Sequence, residues 1–171
     1  MTGPVAVLVG PMGVGKTTVG ELIADELGTT CRDTDADIVA AQGRSIADIF
    51  VEDGEAHFRA LEAEAVRAAL TEHDGVLALG GGTILNDDTR KLLIGLPVVF
   101  LDMGVAEAVK RVGLDTARPL LAVNPRQKWR ELMEARRPLY TEVARAVVST
   151  EGRTAEEVAE LVLTELELKT A

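Results

Sequence analysis

The chain has 171 residues, of which 47% are hydrophobic and 27% are charged, and its formal net charge is −10. This length and composition fit one globular domain with a sizeable core. The negative charge disfavours general binding to nucleic acid or to an anionic membrane, so an anionic ligand would need local arginines to hold it. The single cysteine, Cys31, excludes an internal disulfide and suits a reducing compartment.

Hydropathy gives no sign of a targeting or membrane segment. The N-terminus has no basic region, and its apolar run leads directly into a glycine-rich loop. The most apolar later stretch, LLIGLPVVFLDMG, is interrupted by Gly95, Pro97 and Asp102 and is too short to cross a bilayer. We therefore expect a cytoplasmic protein that binds small molecules and neither a membrane nor nucleic acid.

Short apolar runs alternate with helical stretches along the chain. We predict strands at residues 5–9, 29–33, 76–79, 98–101 and 146–149. We predict helices at residues 17–27, 35–42, 45–50, 53–70, 88–93, 105–112, 125–134, 138–144 and 154–166. Strands that alternate with helices form βαβ units, so we expect a parallel sheet with helices on both faces. In such a sheet, ligands bind beyond the carboxyl ends of the strands.

The first predicted strand leads into a phosphate-binding loop. Residues 10–17, GPMGVGKT, match G-x-x-x-x-G-K-[ST] at every fixed position, between a strand pattern and a helix pattern. In this context, backbone N–H groups and the helix N-terminus bind phosphate, and Lys16 can reach the outer phosphates. The Thr17 hydroxyl can ligate Mg²⁺. The sequence therefore predicts a nucleotide-binding site.

Aspartates at two strand ends compete for the role of magnesium carboxylate. The second strand ends in RDTDAD, where Asp33 and Asp35 share one side if the strand geometry continues. The fourth strand ends at Asp102, which the usual rule of a hydrophobic strand ending in aspartate favours. Asp102 is equally well placed to cap the helix that follows it. Spacing alone does not decide between Asp33 and Asp102.

Glycines and arginines mark further candidate positions. The third strand runs into three consecutive glycines, residues 80–82, which permit a ligand to approach the backbone closely. Arg59 lies one helical turn before Glu62. Arg118 lies in a segment between Gly113 and Pro125 that reads as a long loop, and such loops are often lids.

A third arginine position lies in the motif EARRPLY. Arg136 and Arg137 precede Pro138, which is a residue that can open a helix. A solvated surface position is the ordinary interpretation of any single arginine. That interpretation weakens when several arginines follow a phosphate-loop pattern at expected places. The aromatic residues Trp129 and Tyr140 are interpreted as packing residues.

Six motifs, taken together, resemble the shikimate kinase family, and most closely its actinobacterial members. They are GPMGVGKTTVG, DTD, GRSIADIFVEDGEAHFRALE, LALGGG, ARPLL and RRPLY, in that order between residues 5 and about 153. The resemblance implies a three-layer α/β/α P-loop kinase fold, like that of nucleoside monophosphate kinases, with a five-stranded parallel sheet. It also implies a single domain over 1–171, with a substrate-binding helical region at about 34–62 and a lid at about 112–125.

The resemblance implies an activity and its catalytic residues. The reaction is transfer of the γ-phosphoryl group of ATP to the 3-hydroxyl of shikimate, with ATP as co-substrate and Mg²⁺ as cofactor. By the family pattern, Lys16 contacts the phosphates, Thr17 ligates Mg²⁺, and Asp33 holds the ion through water, which leaves Asp102 as a helix cap. Asp35 binds the shikimate hydroxyls and is the candidate base. Arg118 closes onto the phosphates from the lid.

The family pattern also implies which residues bind each substrate. Arg59 and Arg136 grip the shikimate carboxylate, with Glu62 orienting Arg59. The backbone of Gly80, Gly81 and Gly82 lines the same pocket. Arg111 and Arg153 flank the adenine. The implied ATP-binding set is Gly13, Val14, Gly15, Lys16, Thr17, Thr18, Arg111, Arg118 and Arg153.

Two other functions are weighed against this one. The nearest rival is another P-loop small-molecule kinase, such as a gluconate or nucleoside monophosphate kinase. A gluconate kinase would share the fold but should lack the combination of DTD, GGG and RPLL. A GTP-dependent switch protein would need N-K-x-D after a strand, and the sequence has none. We therefore expect a kinase that acts on small molecules and works as a monomer.

Overall fold

The computed structural model describes residues 3–104, 107–108 and 125–168. The strands are β1 (Ala6–Val9), β2 (Cys31–Asp33), β3 (Val76–Ala78), β4 (Val98–Asp102) and β5 (Ala146–Ser149). The helices are α1 (Lys16–Leu27), α2 (Thr34–Gln42), α3 (Ile46–Asp53), α4 (Glu55–Glu72), α5 (Asp87–Leu93), α6 (Pro125–Val143) and α7 (Ala155–Glu165), with a 3₁₀ turn at Thr83–Leu85. None of these helices is both long and apolar enough to cross a membrane.

The five strands form one parallel sheet in the order β2-β3-β1-β4-β5, which confirms the predicted fold class. β1 lies at the centre, where Val7 is opposite Leu77 of β3 and Val98 of β4. Every residue of β1 and β3 is buried, as expected for a parallel sheet that is covered on both faces. α1 packs against α7, and α5 packs against α6. A second, smaller core joins α2, α3 and α4 through Ile38, Ile49 and Phe58.

The strand order brings the candidate residues to one edge of the sheet. Because the strands are parallel, their carboxyl ends lie along the same edge. The phosphate loop follows β1, and residues 80–82, which we call the glycine triplet, follow the neighbouring strand β3. Asp33 ends β2 opposite Ala78 of β3. Residues that are distant in sequence therefore meet beside the phosphate loop.

One long helix replaces the two helices predicted around Pro138. α6 runs without a break through this proline, so the prediction that Pro138 opens a new helix is wrong. A proline inside a helix removes one backbone hydrogen bond and crowds the preceding turn. The helix continues because its buried face extends on both sides of the proline, through Trp129, Met133, Tyr140 and Val143. Tertiary packing, the main source of helix stability in proteins, outweighs the local signal.

Other helix boundaries differ from the predictions by a few residues. α3 extends to Asp53, and α4 begins at Glu55, with Gly54 between the two helices at a φ of 87°. The predicted helix at 105–112 and the predicted lid at about 112–125 fall largely outside the described residues. Within the predicted helix, residues 107–108 are described and are helical.

A close contact between α1 and β2 explains why both elements carry a small residue there. Burial, aided by the charges of Glu21 and Asp33, raises the pKa of the Cys31 thiol to about 11. Such a thiol is uncharged at neutral pH and a poor nucleophile, which agrees with a packing role. A Cβ on Gly20 of α1 would lie 2.6 Å from the Cys31 sulfur. The helix therefore lies as close to the strand as these two residues allow.

We expect Gly20→Ala to lower the free energy of unfolding by about 1–3 kcal/mol, the usual cost of overpacking a core. In a Cys31→Ala background, the same change should be neutral or stabilising, because alanine exceeds glycine in helix propensity by about 1 kcal/mol. Urea unfolding of the wild type, both single variants and the double variant measures this coupling. An equal loss of stability from Gly20→Ala in both backgrounds would show that the loss does not come from a clash with the Cys31 sulfur.

Candidate active site

The phosphate loop turns directly from β1 into α1. α1 begins at Lys16, and its N-cap is Gly15, whose φ of 96° is accessible to glycine without a steric penalty. Within the described residues, no side chain caps this helix end. The N–H groups of a first helical turn and the helix dipole favour an anion at such an end. The local geometry thus suits the phosphate group that the motif predicts.

The Lys16 ammonium folds back onto its own loop. Its Nζ donates hydrogen bonds to the carbonyl oxygens of Gly10, at 2.8 Å, and Pro11, at 3.0 Å. Both acceptors are neutral, whereas a phosphate oxygen is charged and forms a stronger hydrogen bond with an ammonium. Lys16 can therefore exchange these carbonyl contacts for contacts with a bound phosphate.

A cavity of about 220 Å³ lies beside the phosphate loop. It is lined by Met12, Gly13, Gly15, Lys16, Thr17, Thr18, Asp33, Asp35, Leu79 and Gly81. The phosphate loop, the end of β2, the start of α2 and the glycine triplet all contribute to this one space. Most of the residues predicted to bind phosphate and magnesium therefore lie together.

Asp33 is held by contacts at both carboxylate oxygens. Its Oδ2 accepts a hydrogen bond from the Thr17 hydroxyl. Its Oδ1 accepts from the backbone N–H groups of Asp35, at 2.8 Å, and Ala36, at 3.2 Å, which makes Asp33 the N-cap of α2. The strand ends at Asp33, so the condition under which Asp33 and Asp35 would share one side of a strand is not met. They line the same cavity because Asp35 lies in the first turn of α2.

Asp102, the other candidate carboxylate, is engaged elsewhere. Its Oδ1 accepts from the backbone N–H of Met103 at 2.9 Å, and its Oδ2 accepts from Nη1 of Arg137. The Arg137 guanidinium also lies 5.9 Å from the centre of the Phe100 ring. The helix that Asp102 was expected to cap falls mostly outside the described residues. The geometry therefore favours Asp33 as the carboxylate beside Thr17.

The glycine triplet lies against three charged side chains. A Cβ on Gly80 would lie 2.6 Å from Oδ1 of Asp35 and 2.9 Å from Oε2 of Glu62. A Cβ on Gly82 would lie 2.0 Å from Nη1 of Arg59. A side chain at either position would displace these charged groups. The absence of side chains therefore lets residues of α2 and α4 meet at one short stretch of backbone.

Arg59 and Glu62 form an ion pair on α4. Nη1 of Arg59 donates to Oε1 of Glu62 at 2.9 Å, while Glu55 contacts the same guanidinium from the surface at 3.4 Å. Glu62 is only 3% exposed. Burial raises the pKa of its carboxyl group, and the charges of Arg59 and Arg136 oppose this rise. The ion pair fixes the Arg59 guanidinium at the edge of the glycine triplet.

Two phenylalanines support the other side of Arg59. Phe50 and Phe58 lie with their ring centres 4.8 Å apart, and the Arg59 guanidinium carbon lies 6.0 and 5.4 Å from these centres. Phe58 is buried in the smaller core, whereas Phe50 is partly exposed. Attraction between a cation and an aromatic face adds to the positioning of Arg59.

α6 contributes a second buried arginine and a tyrosine that the sequence interpretation assigned only to packing. Arg136 is 6% exposed, and its positive charge acts on both Glu62 and Tyr140. Tyr140 is buried, and its hydroxyl donates to the carbonyl oxygen of Gly81 at 2.5 Å. The spacing of four residues puts Arg136 and Tyr140 on one helix face and could have revealed that they are neighbours, but no local pattern points to Gly81.

Of the other three predicted arginines, the structure describes only Arg153. Arg153 follows β5 with an exposed side chain, and its Nη1 donates to the carbonyl oxygen of Ser149 at 2.7 Å. Arg111 and Arg118 lie outside the described residues. The roles that the sequence predicts for these three arginines stay predictions.

Comparison with known proteins agrees with the resemblance found in the sequence. A model of the shikimate kinase family matches residues 12–167. Relatives named shikimate kinase from Streptomyces coelicolor and Streptomyces avermitilis are 68% and 70% identical, over 100% of both chains in each case. A solved structure of shikimate kinase from Acinetobacter baumannii in complex with shikimate has a TM-score of 0.91 and 37% identity. That match covers 100% of this chain and 97% of the other.

Burial of Glu62 should make the protein less stable as the pH rises. The raised pKa means that the folded protein binds this proton more tightly than the unfolded chain does. The resulting stabilisation is complete below the unfolded pKa and is lost as the pH rises through the folded pKa. Glu62→Gln should remove this part of the pH dependence and increase the free energy of unfolding at neutral pH.

Glu55→Gln is the matched control, because Glu55 pairs with the same arginine but is exposed. It should change neither the stability nor its pH dependence appreciably, as is usual for exposed ion pairs. Urea unfolding at several values between about pH 4 and pH 8 measures both effects. Parallel pH curves for the wild type and Glu62→Gln would show that burial of this carboxylate does not destabilise the fold.

Proposed function

This chain belongs to the shikimate kinase family, and we propose that it transfers the γ-phosphoryl group of ATP to the 3-hydroxyl of shikimate. The observation that carries the proposal is the position of Asp35. Its carboxylate lines the cavity beside the phosphate loop and also lies at Gly80, next to Glu62 of the Arg59 ion pair. One carboxylate thus lies between groups suited to bind phosphates and groups suited to bind an acidic polyol.

The nucleotide half of the site is the loop that precedes α1. The β- and γ-phosphates of ATP would bind at the start of α1, where the backbone N–H groups of residues 13–18 and the helix dipole favour negative charge. Lys16 would move from its carbonyl acceptors to the outer phosphates. Arg111 and Arg153 are proposed on either side of the adenine, by the family pattern.

Mg²⁺ is the metal that these residues fit. The Thr17 hydroxyl and the Asp33 carboxylate are in contact, so two oxygen donors lie beside the phosphate loop. Mg²⁺ prefers oxygen ligands and keeps several waters, binding through few protein groups together with substrate phosphates. We propose that Thr17 ligates the ion directly and that Asp33 holds it through water. When bound, the ion supplies positive charge that neutralises the phosphates.

The substrate half of the site would bind the shikimate carboxylate through two arginines. The guanidinium groups of Arg59 and Arg136 both act on the buried Glu62, so they lie in the same part of the site. A guanidinium offers paired N–H donors that match a planar carboxylate. Glu62 would keep Arg59 in place for this contact. The glycine triplet would line the pocket with backbone alone.

Asp35 would act at the hydroxyl end of shikimate. It would accept a hydrogen bond from the attacking 3-hydroxyl and is the candidate base for its proton. The new oxygen–phosphorus bond forms as the bond from the γ-phosphorus to the bridging oxygen breaks, giving shikimate 3-phosphate and ADP. Alignment and charge neutralisation supply most of the catalysis in such transfers. Lys16 would provide part of that charge, and Arg118 a further part by the family pattern.

Measurement of ADP release tests the proposed reaction directly. The purified protein is given ATP and magnesium with shikimate, quinate, gluconate or a nucleoside monophosphate in turn. We expect shikimate to accelerate ADP release far more than the other acceptors do. Faster release with gluconate or a nucleoside monophosphate would overturn the proposal. Monomeric state, cytoplasmic location and the lid at about 112–125 stay predictions.

Loss of either carboxylate-binding arginine should weaken shikimate binding selectively. Hydrogen bonds to charged groups contribute roughly 1.5–3 kcal/mol, so Arg59→Ala and Arg136→Ala should each weaken binding by about tenfold to a hundredfold. ATP affinity should change much less. Arg137→Ala is the matched control, because Arg137 follows Arg136 but pairs with Asp102. Calorimetric titration with each substrate separately checks this, and unchanged shikimate affinity in both variants would rule out the carboxylate site.

The two strand-end aspartates should differ in their effect on the magnesium requirement. Asp33→Asn should sharply increase the concentration of Mg²⁺ needed for half-maximal turnover, because it removes the charge beside Thr17. Asp102→Asn should not, because Asp102 binds Arg137 and a backbone N–H group instead. Titration of activity with Mg²⁺ at saturating ATP measures this difference. The opposite result would assign the metal to Asp102.

A further inference from the structure

The ring of Tyr140 is fixed to the central sheet. It has no exposed surface, and it stacks on Phe100 with the ring centres 4.8 Å apart and an angle of 26° between the planes. Phe100 lies in β4 opposite Val9, the last residue of β1 before the phosphate loop. Packing alone therefore fixes the ring, so the contacts of the hydroxyl are a separate feature that a substitution can remove by itself.

The Tyr140 hydroxyl joins two parts of the site. It donates a hydrogen bond to the carbonyl oxygen of Gly81 at 2.5 Å. Arg136 precedes Tyr140 by one helical turn on α6 and is also buried, so its positive charge acts on the same oxygen. Burial raises the pKa of Tyr140 to about 12, so the donor is present throughout the physiological range.

The backbone of Gly81 is itself close to the phosphate loop. A Cβ on Gly81 would lie 3.3 Å from the backbone nitrogen of Met12 and 3.4 Å from the carbonyl oxygen of Gly10. Gly81 also lines the cavity beside Lys16. A displacement of the Gly81 carbonyl would therefore reach both the substrate half and the nucleotide half of the site.

We propose that Tyr140 is a positioning residue, which orients Arg136 toward the shikimate carboxylate and holds the Gly81 backbone against the phosphate loop. This inference rests on the proposed function, because it takes Arg136 as a ligand of the carboxylate. Without the hydroxyl, Arg136 loses a polar neighbour on the same helix face, and the Gly81 carbonyl loses its donor. An arginine that binds a planar carboxylate depends on its orientation, so shikimate binding should respond more than ATP binding.

The test is Tyr140→Phe, which keeps the ring and its stacking on Phe100 but removes the hydroxyl. A single hydrogen bond contributes about 0.5–1.5 kcal/mol, so the dissociation constant for shikimate should rise by about two- to tenfold. The dissociation constant for ATP should rise less, by about twofold at most, because the hydroxyl reaches the phosphate loop only through the Gly81 backbone. A variant that is less stable but binds shikimate with wild-type affinity would overturn the proposal and leave Tyr140 with a packing role.

Two further measurements show whether the effect passes through Arg136. An analogue of shikimate with a hydroxymethyl group in place of the carboxylate should lose less affinity in Tyr140→Phe than shikimate does. In an Arg136→Ala background, Tyr140→Phe should cause little further loss of shikimate affinity, because residues that act together give non-additive effects. Equal losses with both ligands, or full additivity of the two substitutions, would contradict action through Arg136.

A matched control removes a different buried hydroxyl. Thr150 is buried, and its hydroxyl donates to the carbonyl oxygen of Asp102 at 3.0 Å. Thr150→Val should lower stability by a similar amount while leaving shikimate affinity unchanged. A wild-type protein that neither binds nor phosphorylates shikimate would overturn the proposed function itself. Normal shikimate turnover by the wild type, with wild-type affinity in Tyr140→Phe, would overturn only the inference about Tyr140.

Discussion

Three consecutive glycines, the glycine triplet, follow β3. The candidate site is built around the space that their missing side chains leave open. Asp35 and Glu62 approach Gly80, Arg59 approaches Gly82, and Tyr140 binds the carbonyl oxygen between them. A single Cβ at either end of the triplet would collide with a charged group. Because β3 lies beside the central strand, the triplet also lies next to the phosphate loop. The candidate site therefore requires that side chains from helices α2, α4 and α6 come close to one short stretch of backbone, which only residues without a Cβ permit.

The charges gathered there come at a cost to the stability of the fold. Glu62 is a carboxylate in a mostly dry environment, and its raised pKa means that burial outweighs the attraction of the neighbouring arginines. A neutral residue there is expected to make the fold more stable. Glu62 also pairs with Arg59 at the edge of the glycine triplet, and the proposed function uses this contact to orient Arg59. Sites that bind charged ligands commonly sacrifice stability in this way.

Local positive charge also explains how an acidic chain can bind acidic ligands. The net charge of −10 is distributed over the whole protein, and salt screens exposed charges beyond about 8 Å. Inside the site, by contrast, the partly buried Arg59 and the buried Arg136 are screened much less. Over the short distances of a carboxylate bound as proposed, their charge would dominate. Overall charge therefore predicts poorly which small anions such a site accepts.

Residues close together in sequence determined the phosphate loop, the alternation of strands and helices, and the charged residues available for a site. These features depend on backbone propensity and hydrophobic periodicity, which are local properties. The contacts that distinguish Asp33 from Asp102 join residues 16 and 35 positions apart, and Tyr140 reaches Gly81 across 59 positions. Likewise, α6 continues through Pro138 because of packing on both sides of it. Only the tertiary structure showed these contacts and the unbroken helix, because each depends on how distant elements pack rather than on the residues nearby. The choice of Asp33 over Asp102 as the magnesium carboxylate was already implied by the family pattern.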